Sequence, residues 1–124
     1  MEDLLRIGAA ASTLGVSVDT LRRWEREGRL ECERRAGQRY VHAEEVARLL
    51  RERNPTARSS ARNRLTGTVV SVRRDEIMAQ VELACGTYRV VSLMSREAAD
   101  QLDLKPGDTA TAVVKATTVV VERP

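Results

Sequence analysis

The rhythm of apolar positions changes near residue 55: before it they recur at three- and four-residue intervals, after it they alternate in twos. Ile7, Ala10, Ala11 and Leu14 share one face of a predicted helix, which Gly15 ends. Ser17 then suits an N-cap, because its hydroxyl can accept a first-turn backbone N–H, and Asp19 places a negative charge where the helix dipole favours one. Val18, Leu21 and Trp24 form the apolar stripe of this second helix, with Trp24 read as core, and Gly28 is placed to stop it. Leu30 to Val41 reads as extended chain with a turn at Gly37. A third helix follows from about Ala43 to Glu52, with Val46, Leu49 and Leu50 inward.

Beyond residue 60 the pattern predicts strands over Leu65–Val72, Ile77–Leu83 and Thr87–Ser92. A short helix capped by Ser95 follows, then a turn at Lys105–Asp108, and further strands over Ala110–Lys115 and Thr117–Glu122. Five strands with one short helix between the third and fourth is the element order of an OB-like barrel. The fold class is therefore α+β in two domains: residues 1–54 helical, a polar linker over 55–59 that carries Pro55, and a five-stranded OB-like β-barrel over 60–124.

Composition narrows the picture. With one Trp, two Tyr and no Phe in 124 residues, the cores must be built of Leu, Val and Ala. Two domains of this size are marginal alone and gain from a partner subunit. The net charge is +3. Residues 1–58 hold 12 Arg against 10 acidic residues (+2), and residues 59–124 hold seven Arg and two Lys against eight acidic residues (+1). Neither half argues nucleic-acid binding from charge alone. Cys32 and Cys85 stand far apart and in no metal-ligand spacing, which fits free thiols in a reducing cytoplasm rather than a disulfide or zinc site. The start of the chain does not read as a signal peptide, and no apolar run is long enough to span a membrane. The single His42 has no evident catalytic partner, and no phosphate loop or paired catalytic carboxylates stand out, so the chain reads as a non-enzyme with no bare metal ion.

Ala11, Gly15 and Leu21 carry a helix-turn-helix pattern. The small residue lets two helices approach, the glycine supplies the turn and the leucine packs the second helix on the first. Ser17, Thr20 and Arg23 would then face a major groove, with Arg22 and Arg26 beside them. The plainer reading is a solvated arginine face paired with Glu25 and Glu27. The run Val16-Ser17-Val18-Asp19-Thr20-Leu21-Arg22-Arg23-Trp24-Glu25-Arg26-Glu27-Gly28, followed by Gly37-Gln38-Arg39-Tyr40, resembles the MerR-type and excisionase-type winged helix-turn-helix. That resemblance covers residues 4–53. It implies double-stranded DNA as partner, a recognition helix over 18–27, Arg22 and Arg23 on bases or phosphates, and Gln38, Arg39 and Tyr40 in a wing. MerR regulators usually continue into a long dimerising helix; here strands follow, so dimerisation must come from elsewhere.

A tetrahedral dianion needs many hydrogen-bond donors and little negative charge nearby. Ser60-Ala61-Arg62-Asn63, Ser95-Arg96 and Lys115-Ala116-Thr117-Thr118 are rich in such groups. Each has a plainer reading: Ser60 ends the linker, Ser95 caps a helix, and Lys115, which interrupts an apolar run, guards a sheet edge. Taken together, Ser60-Ala61-Arg62-Asn63-x-Leu65-x-Gly67-x-Val69, Ala79-Gln80-Val81, Leu102-x-Leu104-x-x-Gly107-Asp108 and Val114-Lys115-Ala116-Thr117 resemble the Mop or TOBE domain of molbindins. The resemblance spans 60–122 and implies molybdate or tungstate held at subunit interfaces by Ser60, Arg62, Ser95, Lys115, Ala116 and Thr117. It also implies a homo-oligomer, a dimer or trimer of dimers. Ala98 stands where the family has a second hydroxyl, and Asp75 where it has a turn glycine.

These strands of evidence converge on a cytoplasmic DNA-binding transcriptional regulator that senses molybdate or tungstate. Two alternatives remain: a molybdate store, or a DNA-binding protein whose barrel only oligomerises.

Overall fold

The computed structural model describes residues 3–54 and 58–124, and the chain divides into two compact units, Met1–Pro55 and Thr56–Pro124. Of the linker expected over 55–59, residues 55–57 lie outside the described residues.

The first unit begins with a short strand, β1 (Leu4–Arg6), and continues through α1 (Ile7–Leu14), α2 (Val18–Arg26), β2 (Glu33–Arg35), β3 (Gln38–His42) and α3 (Ala43–Arg53). Gly15 closes α1 in the left-handed conformation (φ 68°), donating its N–H to the α1 carbonyls, so the chain can reverse within two residues. The Ser17 hydroxyl caps α2 by accepting from the Thr20 N–H at 3.1 Å. The three strands form an antiparallel sheet in the order β1-β3-β2, with Leu5 opposite Val41 and Arg34 opposite Arg39. The core is Ala10, Ala11, Leu14, Leu21, Leu30, Val41, Val46 and Leu49, all buried, with Trp24 packed against it. Leu50, expected inward, is 37% exposed, because α3 turns only Val46 and Leu49 fully onto the core. The strand β1 is not visible in the sequence pattern; three residues carry no period, and it exists because β3 offers a ladder edge.

The second unit contains β4 (Asn63–Arg74), β5 (Met78–Cys85), β6 (Tyr88–Ser95), α4 (Arg96–Leu102), β7 (Thr109–Val114) and a single 3-10 turn at Ala116–Thr118. Its strands form one antiparallel sheet, β6-β5-β4-β7, a curled half-barrel over Val69, Val81, Leu83 and Cys85. A bulge between Val69 and Ser71 breaks the β4–β5 register, and at that point Val69 exchanges hydrogen bonds with the Gly107–Asp108 turn. Gly67 is required by packing: a Cβ there would lie 2.2 Å from the Ala84 carbonyl oxygen and 2.7 Å from Cys85 Sγ. The β4–β5 turn has no glycine; the Asp75 carboxylate instead accepts from the N–H groups of Met78 (2.7 Å) and Ile77 (2.8 Å), which holds its pKa below the usual carboxylate range.

The fifth strand expected over Thr117–Glu122 does not form in the single chain. Val119 has extended backbone (φ −83°, ψ 122°), as the alternating pattern demands, but the segment 119–122 joins no ladder. Alternation dictates an extended conformation; a strand also needs a neighbour to pair with. Among the described residues, no helix is long and apolar enough to cross a membrane.

Candidate nucleic-acid and oxyanion sites

In the first unit, α2 buries Leu21 and leaves Arg22, Arg23 and Arg26 exposed on its outer face. Arg22 lies 3.9 Å from Asp19 and Arg23 lies 3.8 Å from Glu27. Exposed pairs of this kind contribute roughly 0–1 kcal/mol, so a phosphate can readily replace the carboxylate. Arg26 makes no ion pair among the described residues. Ser17 and Thr20 are engaged with each other (Oγ to Oγ1, 2.9 Å) as part of the cap, at the end of α2 where backbone N–H groups also point outward.

The residues expected in the wing divide. Gln38 is exposed at the start of β3. Arg39 is half-buried and sits 3.6 Å from Glu25, so it ties the hairpin to α2 rather than projecting freely. Tyr40 lies mid-sheet between Arg6 and Glu33 and is half-buried. The hairpin tip is Ala36-Gly37, both at positive φ (50° and 77°), a two-residue turn that suits the strand twist. Beside it stands Arg34, exposed and in no ion pair among the described residues, and Arg35, which pairs with Glu33 at 2.9 Å. Sequence reasoning passed over this Arg34-Arg35 doublet; its place directly before the turn dipeptide was the available signal.

Other polar groups of this unit are structural. Arg48 bridges Glu45 (2.8 Å), Glu52 (2.9 Å) and the Arg29 carbonyl (2.8 Å), and its hydrogen bond holds the pKa of Glu45 below its ordinary value. Arg29 stacks over Trp24, 4.7 Å from the ring centre. Burial, helped by Glu25, pushes the Cys32 thiol up to about 11 and keeps it protonated.

In the second unit, β4 runs antiparallel to β7 with Asn63 opposite Val114, and the Asn63 amide donates to the Val114 carbonyl at 3.1 Å. Ala61 is buried, which anchors the approach to β4 and leaves Ser60 and Arg62 on its exposed side. The ladder ends at this pair, so Arg62, one residue before Asn63, and Lys115, one residue after Val114, both adjoin the same end of the sheet. The Arg62 guanidinium donates to the Ser59 carbonyl at 3.2 Å. Lys115 is exposed and makes no ion pair among the described residues. Its carbonyl accepts from both the N–H (3.0 Å) and the hydroxyl (2.9 Å) of Thr118, which fixes the tight turn holding Ala116 and Thr117. Five of the six expected oxyanion residues, Ser60, Arg62, Lys115, Ala116 and Thr117, therefore gather at one end of the sheet. Two cationic side chains and several hydroxyls at one end of a sheet are donors of the kind a dianion takes.

Ser95 does not join them. It pairs with Met78, at the end of the sheet where β4 finishes. The 12 residues of β4 separate the two ends by roughly 36 Å of contour at about 3.3 Å per residue. Its hydroxyl caps α4 by accepting from the Ala98 N–H at 3.0 Å, and Glu76, Glu97 and Asp100 line the same depression. A single site holding all six residues must take Ser95 from another copy of the chain.

Comparison with known proteins adds a second line of observation. The family model for the TOBE domain matches residues 59–121, and that for the MerR family regulatory protein matches residues 6–41. Molybdenum-pterin-binding protein 3 of Clostridium pasteurianum is 40% identical over 63 residues, covering 50% of this chain and 93% of that protein. A molybdate binding protein from Sporomusa ovata superposes with a TM-score of 0.52 at 33% identity, covering 53% of this chain and 98% of that one. MopII from Clostridium pasteurianum does so with a TM-score of 0.50 at 36% identity, covering 52% and 98%.

Proposed function

This chain belongs to the TOBE-domain family and carries a MerR-like regulatory domain ahead of it, and from that premise we propose that it is a DNA-binding transcriptional regulator that senses molybdate or tungstate. The observation that supports the reading is the β4–β7 ladder, whose last pair is Asn63 and Val114, so that the segment carrying Ser60 and Arg62 and the segment carrying Lys115, Ala116 and Thr117 both adjoin the same end of the sheet. A tetrahedral dianion suits this set: two cations supply the charge, and Ser60 and Thr117 supply hydroxyl donors. Ser95 enters from a neighbouring copy, so the bound anion bridges subunits.

On the DNA side, α2 is the reading helix, with Arg22, Arg23 and Arg26 outward and Ser17 and Thr20 at its leading end. Gln38, together with Arg34 and Arg35 of the hairpin, meets the backbone, while Arg39 and Tyr40 hold the hairpin against the rest of the domain. Oxyanion binding favours whichever subunit arrangement brings the cationic ends together, and only this difference in affinity between arrangements can alter DNA binding. The oligomer's two-fold axis then sets the spacing between two reading helices.

The test is DNA binding to the chain's own promoter, measured by anisotropy with and without molybdate. Saturating molybdate should change the affinity or the mass of the complex. Arg62→Gln with Lys115→Gln should abolish that response and leave DNA binding intact. No change at saturating oxyanion would remove the sensing role. A storage role is the second reading, favoured because the barrel-sized relatives are covered almost completely by half of this chain; it gains if Arg22→Ala with Arg23→Ala leaves DNA binding unchanged.

A further inference from the structure

Lys115 stands where the sheet gives out. The β4–β7 ladder ends with the pair Asn63 and Val114, and Lys115 follows it with no rung of its own. Chain beyond the last rung of a ladder frays unless something holds it, and a lysine adds a flexible four-carbon stem to that freedom. A cation so rooted loses much entropy when it is brought to a ligand.

Two side chains hold the root. The Asn63 amide donates to the Val114 carbonyl at 3.1 Å, which fixes the peptide entering Lys115. The Thr118 hydroxyl donates to the Lys115 carbonyl at 2.9 Å, and the Thr118 N–H donates to the same oxygen at 3.0 Å, which fixes the peptide leaving it. Between these anchors Lys115 keeps extended backbone (φ −68°, ψ 142°), so the direction in which its stem sets out is fixed. A hydroxyl has a single proton to donate. That of Thr118 is committed to the Lys115 carbonyl, which leaves none for an anion, although Thr118 belongs to the same hydroxyl-rich run as Thr117.

We infer that Thr118 is a positioning residue of the oxyanion site: it acts on the ligand through Lys115 and does not touch it. The inference rests on the oxyanion reading proposed above and adds to it a residue outside the expected ligand set. Thr117, next to it in the chain, keeps its place as a donor in that reading.

Calorimetric titration of the full chain with molybdate, repeated over a range of salt concentrations, tests it. The key variant is Thr118→Val, which keeps the β-branched shape and removes only the hydroxyl. Thr118 is exposed, so the fold should survive, and circular dichroism checks this. Thr118→Val should weaken molybdate binding by about three- to tenfold, the worth of one hydrogen bond. Binding should also become less sensitive to salt, in the same direction as for Lys115→Gln, because a cation is engaged less well. Thr118→Ser should restore both. Weaker binding with an unchanged salt dependence would mean that Thr118 is a neutral donor to the anion itself, and overturns the inference. Wild-type affinity in Thr118→Val, or no recovery in Thr118→Ser, overturns it too while the oxyanion reading stands. A wild-type chain that binds no molybdate removes that reading and the inference together.

Discussion

The two halves of this chain solve the same problem differently. The helical unit closes its core with its own residues: eight apolar side chains are buried, and its elements satisfy one another through caps and one short sheet. The half-barrel buries fewer. It leaves Leu93, Val120 and Val121 largely exposed and Val91, Val113 and Val119 partly so, with two sheet edges unpaired among the described residues. Helices satisfy their backbones locally, so a helical domain can be finished by one chain; a sheet is finished only when its edges are paired, covered or closed on themselves. The difference assigns roles. Under the proposed function, the self-sufficient half would serve as the DNA-reading part and the half with open edges as the part where copies and ligand meet.

The comparison can be broken most forcefully at the helical core. Leu21→Ala removes a fully buried side chain from α2 and should cost about 2–5 kcal/mol in that unit, read by urea denaturation, with the barrel's transition unmoved. A smaller loss of about 1–3 kcal/mol is expected in the other half for Gly67→Ala, since β4 and β5 must separate to admit a Cβ against the Ala84 carbonyl. If the barrel is unaffected, the close approach of these strands is not a constraint. Ser17→Ala should weaken the helical unit by about 1 kcal/mol through loss of the α2 cap, visible as a lower thermal midpoint.

The smallest expected effect is on pH. The Arg48 hydrogen bond lowers the folded-state pKa of Glu45 below its ordinary 4.5, so its stabilisation is present above that value and fades as pH falls through the lowered one. Wild type should therefore lose stability faster than Glu45→Gln on acidification in that window. Parallel curves for the two would show that Glu45 contributes nothing. Dilution sharpens the contrast as well: the barrel's midpoint should fall with protein concentration and the helical unit's should not.

Much of this was legible in the residues themselves. The three helices of the first unit, the Gly15 stop, the Ser17 and Ser95 caps and the cores of β4 to β7 follow from periodicity and cap chemistry, which act within a few residues. The candidate DNA face was legible in part: Arg22, Arg23 and Arg26 are exposed as read, while Arg39 and Tyr40 turn out half-buried, because their surroundings come from α2, β1 and β2 rather than from neighbours in sequence.

Local residue chemistry determined where the chain bends, which faces are apolar and which donors could meet an oxyanion. Tertiary structure alone decided the register that pairs Asn63 with Val114, the placing of Ser95 at the far end of β4, the added strand β1, and the failure of 119–122 to join a ladder among the described residues. The physical reason is one of range. A cap or a helical stripe is settled by residues three or four apart, whereas a ladder pairs residues as distant as Asn63 and Val114, and nothing in either stretch states which edge will be free to receive it.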